Sequence, residues 1–453
     1  MPRSGGALLS LSILATLAAC GARSALTGPV ESTGVGGSTG VGGSTGIGGS
    51  AGSGGSTSIG GSTGSGGSTG VGGGGGSGGS GGGLLCTKLV WAGEPVILPP
   101  TVGDHVRRPR LVRTSLDDLA LVAEATTSGE ILLASTAITG WTVSWPPSVS
   151  PLVAAHSHGL PWSGYAYDRG PPGAFSLLWV DTDAHLVLGI AEPGGGVDGT
   201  LSFPGALGAP RFVARNNGGR YLLGHGPPGA LVVHHVPDFF PGVSATPLGV
   251  LGCADDRVVS DAVGVGDDRF LVVSTNHAPF DDCLDPSLPG PPRVVQITRA
   301  GPSGLDQGSY FEEPGPVFDV QIAGRIGGAW MAYRAQGDAA FHIHRLDNLG
   351  YINASYGALG DAAYSDAVIA WGDGFAHVMT HPGDAAVSPQ VSFYLREGDT
   401  IAELEGAVAT PLFPRGRPSL ASSTNGRSFL ITFEQGGPDQ DGSVVLMRAD
   451  CVD

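Results

Sequence analysis

Apolar residues in the last four-fifths of the chain come in short runs cut by clusters of Gly, Pro, Asn and Asp, with hardly any helical spacing. The final stretch is the plainest. A run at 417–423 is followed by a turn at Thr424-Asn425-Gly426-Arg427, a run at 428–433, a polar loop at 436–442 and a run at 443–447. Apolar segments of strand length divided by turn residues predict strand, turn, strand. Similar units recur toward the N-terminus, at 365–379 with 390–395, at 318–323 with 329–333 and 341–345, and at 258–263 with 268–273 and 294–297. Earlier units lie at 210–215 with 220–223 and 231–233, at 109–113 with 119–122 and 131–133, and in weaker form at 151–192.

The aromatic residues near the start of the second run, Tyr221, Phe270, Trp330, Phe375 and Phe429, are 45 to 60 residues apart and about 52 on average. A period near fifty in a strand-rich chain is that of a β-propeller with one four-stranded sheet per repeat. Residues 84–453 hold seven such repeats. Many inner runs are apolar at consecutive positions, as expected for sheets covered on both faces. The last repeat offers three strands, and a lone apolar segment at 89–98 precedes the first. The expectation is therefore an all-β, seven-bladed propeller closed by the N-terminal strand of the domain, with a β-sandwich pair or a β-helix as the alternative.

Composition divides the chain further. Many of the 79 Gly fall before residue 84, where a hexad of the form Ser-Thr-Gly-Val-Gly-Gly repeats from Ser32 and decays into Gly and Ser. Nothing there can bury a core, so residues 20–83 read as a disordered tether whose fifty or so repeat residues span roughly 40 Å. The net charge of −17, with Lys88 the single lysine, gives no basic stripe and excludes nucleic acid as a partner.

Residues 1–19 carry Arg3 and then an apolar stretch too short to span a bilayer, the layout of an export signal. They lead into Leu17-Ala18-Ala19-Cys20, which resembles the lipobox of bacterial lipoproteins. That resemblance implies cleavage before Cys20, lipidation of Cys20 and a membrane anchor. Gly21 in place of Asp implies the outer membrane, on its periplasmic side or at the cell surface. Anchor, tether and repeat domain together resemble the propeller lipoproteins of bacteria.

With Cys20 set aside, Cys86, Cys253, Cys283 and Cys451 remain, an even number in an exported chain and hence two expected disulfides. Three pairings are open. The propeller reading favours Cys86 with Cys451 and Cys253 with Cys283, the first closing a loop worth roughly 4 to 5 kcal/mol by chain entropy.

In a propeller the loops between second and third strands gather at one mouth. Here they carry Asp281, Asp282 and Asp285, then His381 with Asp384, then Asp439 with Asp441, besides Glu130, Asp168 and Asp338. Such a mouth can hold a cation, sugar hydroxyls or a basic partner, although Asp is also a common turn residue. Asp439-Gln440-Asp441-Gly442 is similar to a calcium loop but lacks its third carboxylate and distal Glu, so calcium is the one cofactor considered. His342 and His344 stand two apart as metal ligands do, yet no third ligand is identifiable and they read as exposed strand residues. Arg107, Arg108 and Arg110 read as a solvated strand entry. Residues 135–141 are similar to the turn of sialidase-type propellers, but the Asp is missing and no cluster of three arginines is identifiable, so no catalytic residues follow. The expected function is a monomeric, envelope-anchored binding or scaffold module for protein or glycan. The alternative is an extracytoplasmic propeller enzyme acting on polysaccharide.

Overall fold

The computed structural model describes Cys86, the strands between Lys88 and Val452, and part of the turns that join them; residues 1–85 and the remaining loops lie outside the described residues. The described elements are all strands. The chain opens with β1 (Lys88–Trp91) and β2 (Val96–Leu98). A first sheet follows: β3 (Val106–Arg113), β4 (Asp118–Ala125) and β5 (Ile131–Thr139), with β6 (Thr142–Val143) and β7 (Ser148–Val153) both pairing with β5. The second holds β8 (Ser163–Ala166), β9 (Phe175–Val180), β10 (Leu186–Ala191) and β11 (Val197–Phe203). The third holds β12 (Gly208–Ala214), β13 (Arg220–His225), β14 (Ala230–Val236) and β15 (Thr246–Cys253).

The fourth sheet comprises β16 (Asp261–Gly266), β17 (Arg269–Asn276), β18 (Val294–Gly301) and β19 (Gly304–Glu312). The fifth comprises β20 (Val317–Arg325), β21 (Gly328–Ala335), β22 (Phe341–Asp347) and β23 (Ile352–Tyr356). The sixth comprises β24 (Ser365–Trp371), β25 (Gly374–His381), β26 (Gln390–Glu397) and β27 (Thr400–Glu403). The seventh comprises β28 (Pro414–Ser422), β29 (Ser428–Gln435) and β30 (Ser443–Val452). Every pairing in these sheets is antiparallel between successive strands, except at the chain ends and at β7.

One boundary differs from the sequence expectation. The weak repeat expected at 151–192 begins instead at Ser163, because β7 turns back onto β5 and completes the first sheet. The lone N-terminal segment lies where expected. β1 pairs with β30 (Leu89 opposite Cys451), and β2 pairs with it at Val444, Val445 and Leu446.

The first strands of the sheets lie side by side: β3 next to β28 and β8, β8 next to β12, β12 next to β16, then β20, β24 and β28 in turn. The sheets pack face to face, and this explains the consecutive apolar runs. In β21, Ala329, Met331 and Tyr333 join Val263, Leu271 and Ile297 of the fourth sheet, whereas Trp330 and Ala332 join Val368 and Phe375 of the sixth. In β29, Phe429, Ile431 and Phe433 pack with Phe393 of the sixth sheet, and Leu430 packs with Leu111 and Leu121 of the first. Both faces of a strand are therefore dry, and period-two alternation disappears. Each large side chain so buried contributes about 1.5 to 3 kcal/mol.

The register between first and second strands slips at equivalent places, at Arg107/Arg110, Gly208/Arg211, Phe318/Gln321 and Arg415/Ser419. Three of these slips contain a proline, Pro109, Pro210 and Pro418. Proline lacks the N–H that a ladder needs, so a bulge is the place where a sheet tolerates it.

Candidate functional site

The mouth expected from the sequence is described only in part. Asp281, Asp282, Asp285, Asp384, Asp439 and Asp441 lie outside the described residues, as do Cys20 and Cys283; Cys253 is placed only as the last residue of β15. His381 ends β25 with its side chain buried, and its Nδ1 accepts the N–H of Gly383 at 3.0 Å, so the ring stiffens its own turn. Among the described residues no group of three His, Cys, Asp or Glu is placed to hold a metal ion. Cys86 and Cys451 are joined as a disulfide with their Cα atoms 5.5 Å apart.

The arginines at the entry to β3 are more than a solvated edge. Glu124, fully buried at the end of β4, receives Arg107 Nη2 at 3.0 Å and Arg108 Nη1 at 3.3 Å. Register brings this about, since Arg107 lies opposite Glu124 and the slip through Pro109 brings Arg108 to the same carboxylate. Arg108 has φ 51°, a left-handed conformation costly for a residue with a side chain. The paired charges offset that cost and hold the bulge.

A directed polar arrangement lies in the seam between the fourth and fifth sheets. Tyr333 on β21 donates its hydroxyl to Glu313 Oε1 at 2.5 Å. A carboxylate only accepts, so the phenolic oxygen is left to accept from His344 Nε2, 3.2 Å away on β22. The imidazole must then be protonated at Nε2, and its Nδ1 accepts from Ser355 Oγ at 2.8 Å on β23. The result is one directed chain from Ser355 through His344 and Tyr333 to Glu313. Its neutral imidazole is enforced: burial first and the neighbouring His342 second lower the His344 pKa from 6.5 to about 4.

The surrounding rings build the walls. His342 stacks on Tyr333 at 4.9 Å and 8°, and Phe311 from β19 meets Tyr333 at 5.5 Å and His344 at 5.7 Å. Strand pairing sets Tyr333 opposite His342 and His344 opposite Ser355, so one face of the sheet carries them all. Ser355 is exposed, while Glu313, Phe311 and His342 are half-buried, so the chain opens to solvent at both ends. His344 is thus not the exposed strand residue expected from sequence; Tyr333 and Phe311 cover it. The sequence marked the two histidines by their spacing, but Glu313, Tyr333 and Ser355 gave no local signal because three strands and a connecting loop bring them together.

No family model matches the chain, and no curated protein matches it. Solved structures do resemble it. A lectin from Burkholderia pseudomallei superposes with a TM-score of 0.53 at 11% identity, over 77% of this chain and 97% of that one. A protein of unknown function from Dyadobacter fermentans gives 0.43 at 12% identity, over 80% and 99%. The Aleuria aurantia lectin, solved with α-methyl-L-fucoside, gives 0.43 at 11% identity, over 69% and 98%. The first likeness, with the antiparallel sheets and their adjacent first strands, shows a fold of the β-propeller type.

Proposed function

We propose that the chain is an envelope-anchored lipoprotein whose propeller binds glycan in the seam between its fourth and fifth sheets. In this reading residues 1–19 are removed, Cys20 is lipidated, residues 20–83 are the tether, and residues 84–453 form a seven-bladed ring completed by β1 and β2. Leu17-Ala18-Ala19-Cys20 supports the anchor, and Gly21 in place of Asp favours the outer membrane. The position of β3 between β28 and β8, and the pairing of β1 and β2 with β30, support the ring.

The observation that carries the function is the seam itself. A carboxylate, two imidazoles, a phenol and a serine hydroxyl lie among aromatic rings and reach solvent at Glu313, His342 and Ser355. Sugars present hydroxyls in a plane and C–H groups across it, and a site of fixed polar groups beside aromatic rings matches both. That the Burkholderia pseudomallei protein of like fold is a lectin accords with this reading. A glycan array probed with the exported chain tests it: selective binding weakened by Glu313→Gln and Ser355→Ala is expected, and an array without hits refutes it.

A second reading, an enzyme acting on polysaccharide, draws on the same seam. Ser355 Oγ held 2.8 Å from an imidazole that is linked through a phenol to a carboxylate is an arrangement able to move protons. Polysaccharide turnover lost in both Ser355→Ala and His344→Gln would replace binding with catalysis.

A further inference from the structure

The hydrogen-bond chain between the fourth and fifth sheets has a polarity that limits what can bind to it. Ser355 gives its hydroxyl proton to His344 Nδ1 at 2.8 Å, His344 gives its Nε2–H to Tyr333 at 3.2 Å, and Tyr333 gives its phenolic proton to Glu313 at 2.5 Å. Every one of these donors is spent inward. A hydroxyl, a neutral imidazole and a phenol each hold a single such proton, so the chain keeps none for a ligand. What its two ends turn outward are lone pairs, those of the exposed Ser355 and those of the second carboxylate oxygen of Glu313. A ligand that engages both ends must therefore donate at both.

Glu313 is set up to receive a charged donor. Among the described residues its Oε2 has no hydrogen-bond partner, and it is not sealed from solvent. The bond from Tyr333 holds Oε1, so the carboxylate cannot turn away. Arg293 lies beside it, its carbonyl accepting the Glu313 N–H at 2.9 Å, but the Arg293 side chain is exposed and forms no ion pair with Glu313 among the described residues. An exposed pair of that kind is weak and would yield to a ligand. Glu312, next in the chain, is exposed too, and the net charge of the protein is −17. The half-buried rings of Phe311 and His342 lie 5.5 Å and 4.9 Å from that of Tyr333. A held carboxylate beside aromatic faces, in an acidic chain, attracts a cation.

We propose that this seam recognises a glycan bearing protonated amines, an amino sugar of the glucosamine type without its N-acetyl group. This rests on the glycan-binding reading above and adds to it the class of sugar. A protonated amine brings Glu313 several donors and a positive charge together, and hydrogen bonds between charged partners are about twice as strong as neutral ones. The hydroxyls of the sugar donate to Ser355, and its C–H face lies along the aromatic rings. N-acetylation removes the charge, and a sugar acid would set an anion against a carboxylate. The acidic protein draws the cationic glycan in from a distance, so association slows as salt rises.

The test is calorimetric titration of the exported full chain with a glucosamine trimer, its N-acetylated form and a lysine tripeptide, at a pH where the amines are protonated. The expected result is at least tenfold tighter binding of the glucosamine trimer than of the N-acetylated one, a comparison that needs no variant. Glu313→Gln keeps an acceptor for Tyr333 but replaces the outward acceptor with an amide donor. It should lose about tenfold for the glucosamine trimer and less than about threefold for the N-acetylated form, while melting at the wild-type temperature. Only one of 40 acidic residues changes, so general attraction to an acidic surface does not produce such a loss. Equal affinity for the two trimers, glucosamine binding unchanged in Glu313→Gln, or tighter binding of the lysine tripeptide than of the glucosamine trimer would overturn the proposal. Hits on the glycan array without any preference for the amine would remove this proposal and leave the glycan-binding function standing; an array without hits removes both.

Discussion

The carboxylate of Asp261 accepts the backbone N–H of Ile322 at 3.1 Å, reaching from the first strand of the fourth sheet to the first strand of the fifth. Its other oxygen accepts the N–H of Ala262 at 3.0 Å, and the side chain is fully buried. The device recurs with other residues. Gln321 Oε1 accepts from Val368 N at 3.2 Å, and Ser419 Oγ accepts from Leu111 N at 3.1 Å. The inner strands share no ladder, so side chains supply the bonds between them. Asp261→Ala leaves a buried N–H without its acceptor and should lower unfolding free energy by about 1 to 3 kcal/mol, with Asp261→Asn costing less. Chemical denaturation of the three proteins checks the order.

The turn between β28 and β29 is tied to the sixth sheet at Gly426. Trp371 Nε1 donates to the carbonyl of Gly426 at 2.7 Å, and Gly426 has φ 67°. A Cβ there would lie 2.8 Å from that same indole nitrogen. Gly426→Ala therefore combines an unfavourable backbone conformation with displacement of the donor, and a loss of about 1 to 3 kcal/mol is expected. Trp371→Phe should lose less, since ring packing against Phe429 survives; thermal melts of both decide.

Cys86 and Cys451 are separated by 365 residues. A link over so long a loop removes much unfolded-state entropy, and its loss through Cys451→Ala should cost about 2 to 5 kcal/mol. Mass-shift labelling of free thiols, before and after denaturation, should leave Cys86 and Cys451 unlabelled; labelling of either would show the bond absent.

The pH dependence follows from His344. In the unfolded chain its ring takes up a proton near pH 6.5; in the folded protein it does so only near pH 4. Between these values the unfolded state binds more protons, so stability is full above pH 6.5 and declines as pH falls toward 4. His344→Gln should flatten that part of the profile, read as denaturant midpoint against pH. An identical slope in the variant would show that other groups carry the acid sensitivity.

Much of the fold was legible because strand faces leave a mark on sequence when both are buried. The run from Ala329 to Tyr333 announced a strand sealed between two sheets, and the segment at 89–98 had to complete a repeat that was one strand short. Pro109, Pro210 and Pro418 repeat with the bulges they occupy. The second repeat was misplaced because 148–153 has the composition of a new strand, and only pairing with β5 assigns it to the previous sheet. The seam site was illegible for a related reason. Glu313 and Ser355 share no spacing rule; antiparallel register and the approach of a neighbouring sheet bring them together. His342 and His344 were visible as a pair, but their burial depends on Phe311 from another sheet.

The disulfide also decides how the domain answers a pull. A force applied to the chain ahead of Cys86 would meet the covalent bond to Cys451 before the first hydrogen bond of β1. On such a pull the bond shields the pairing of β1 with β30 from being peeled open at Lys88.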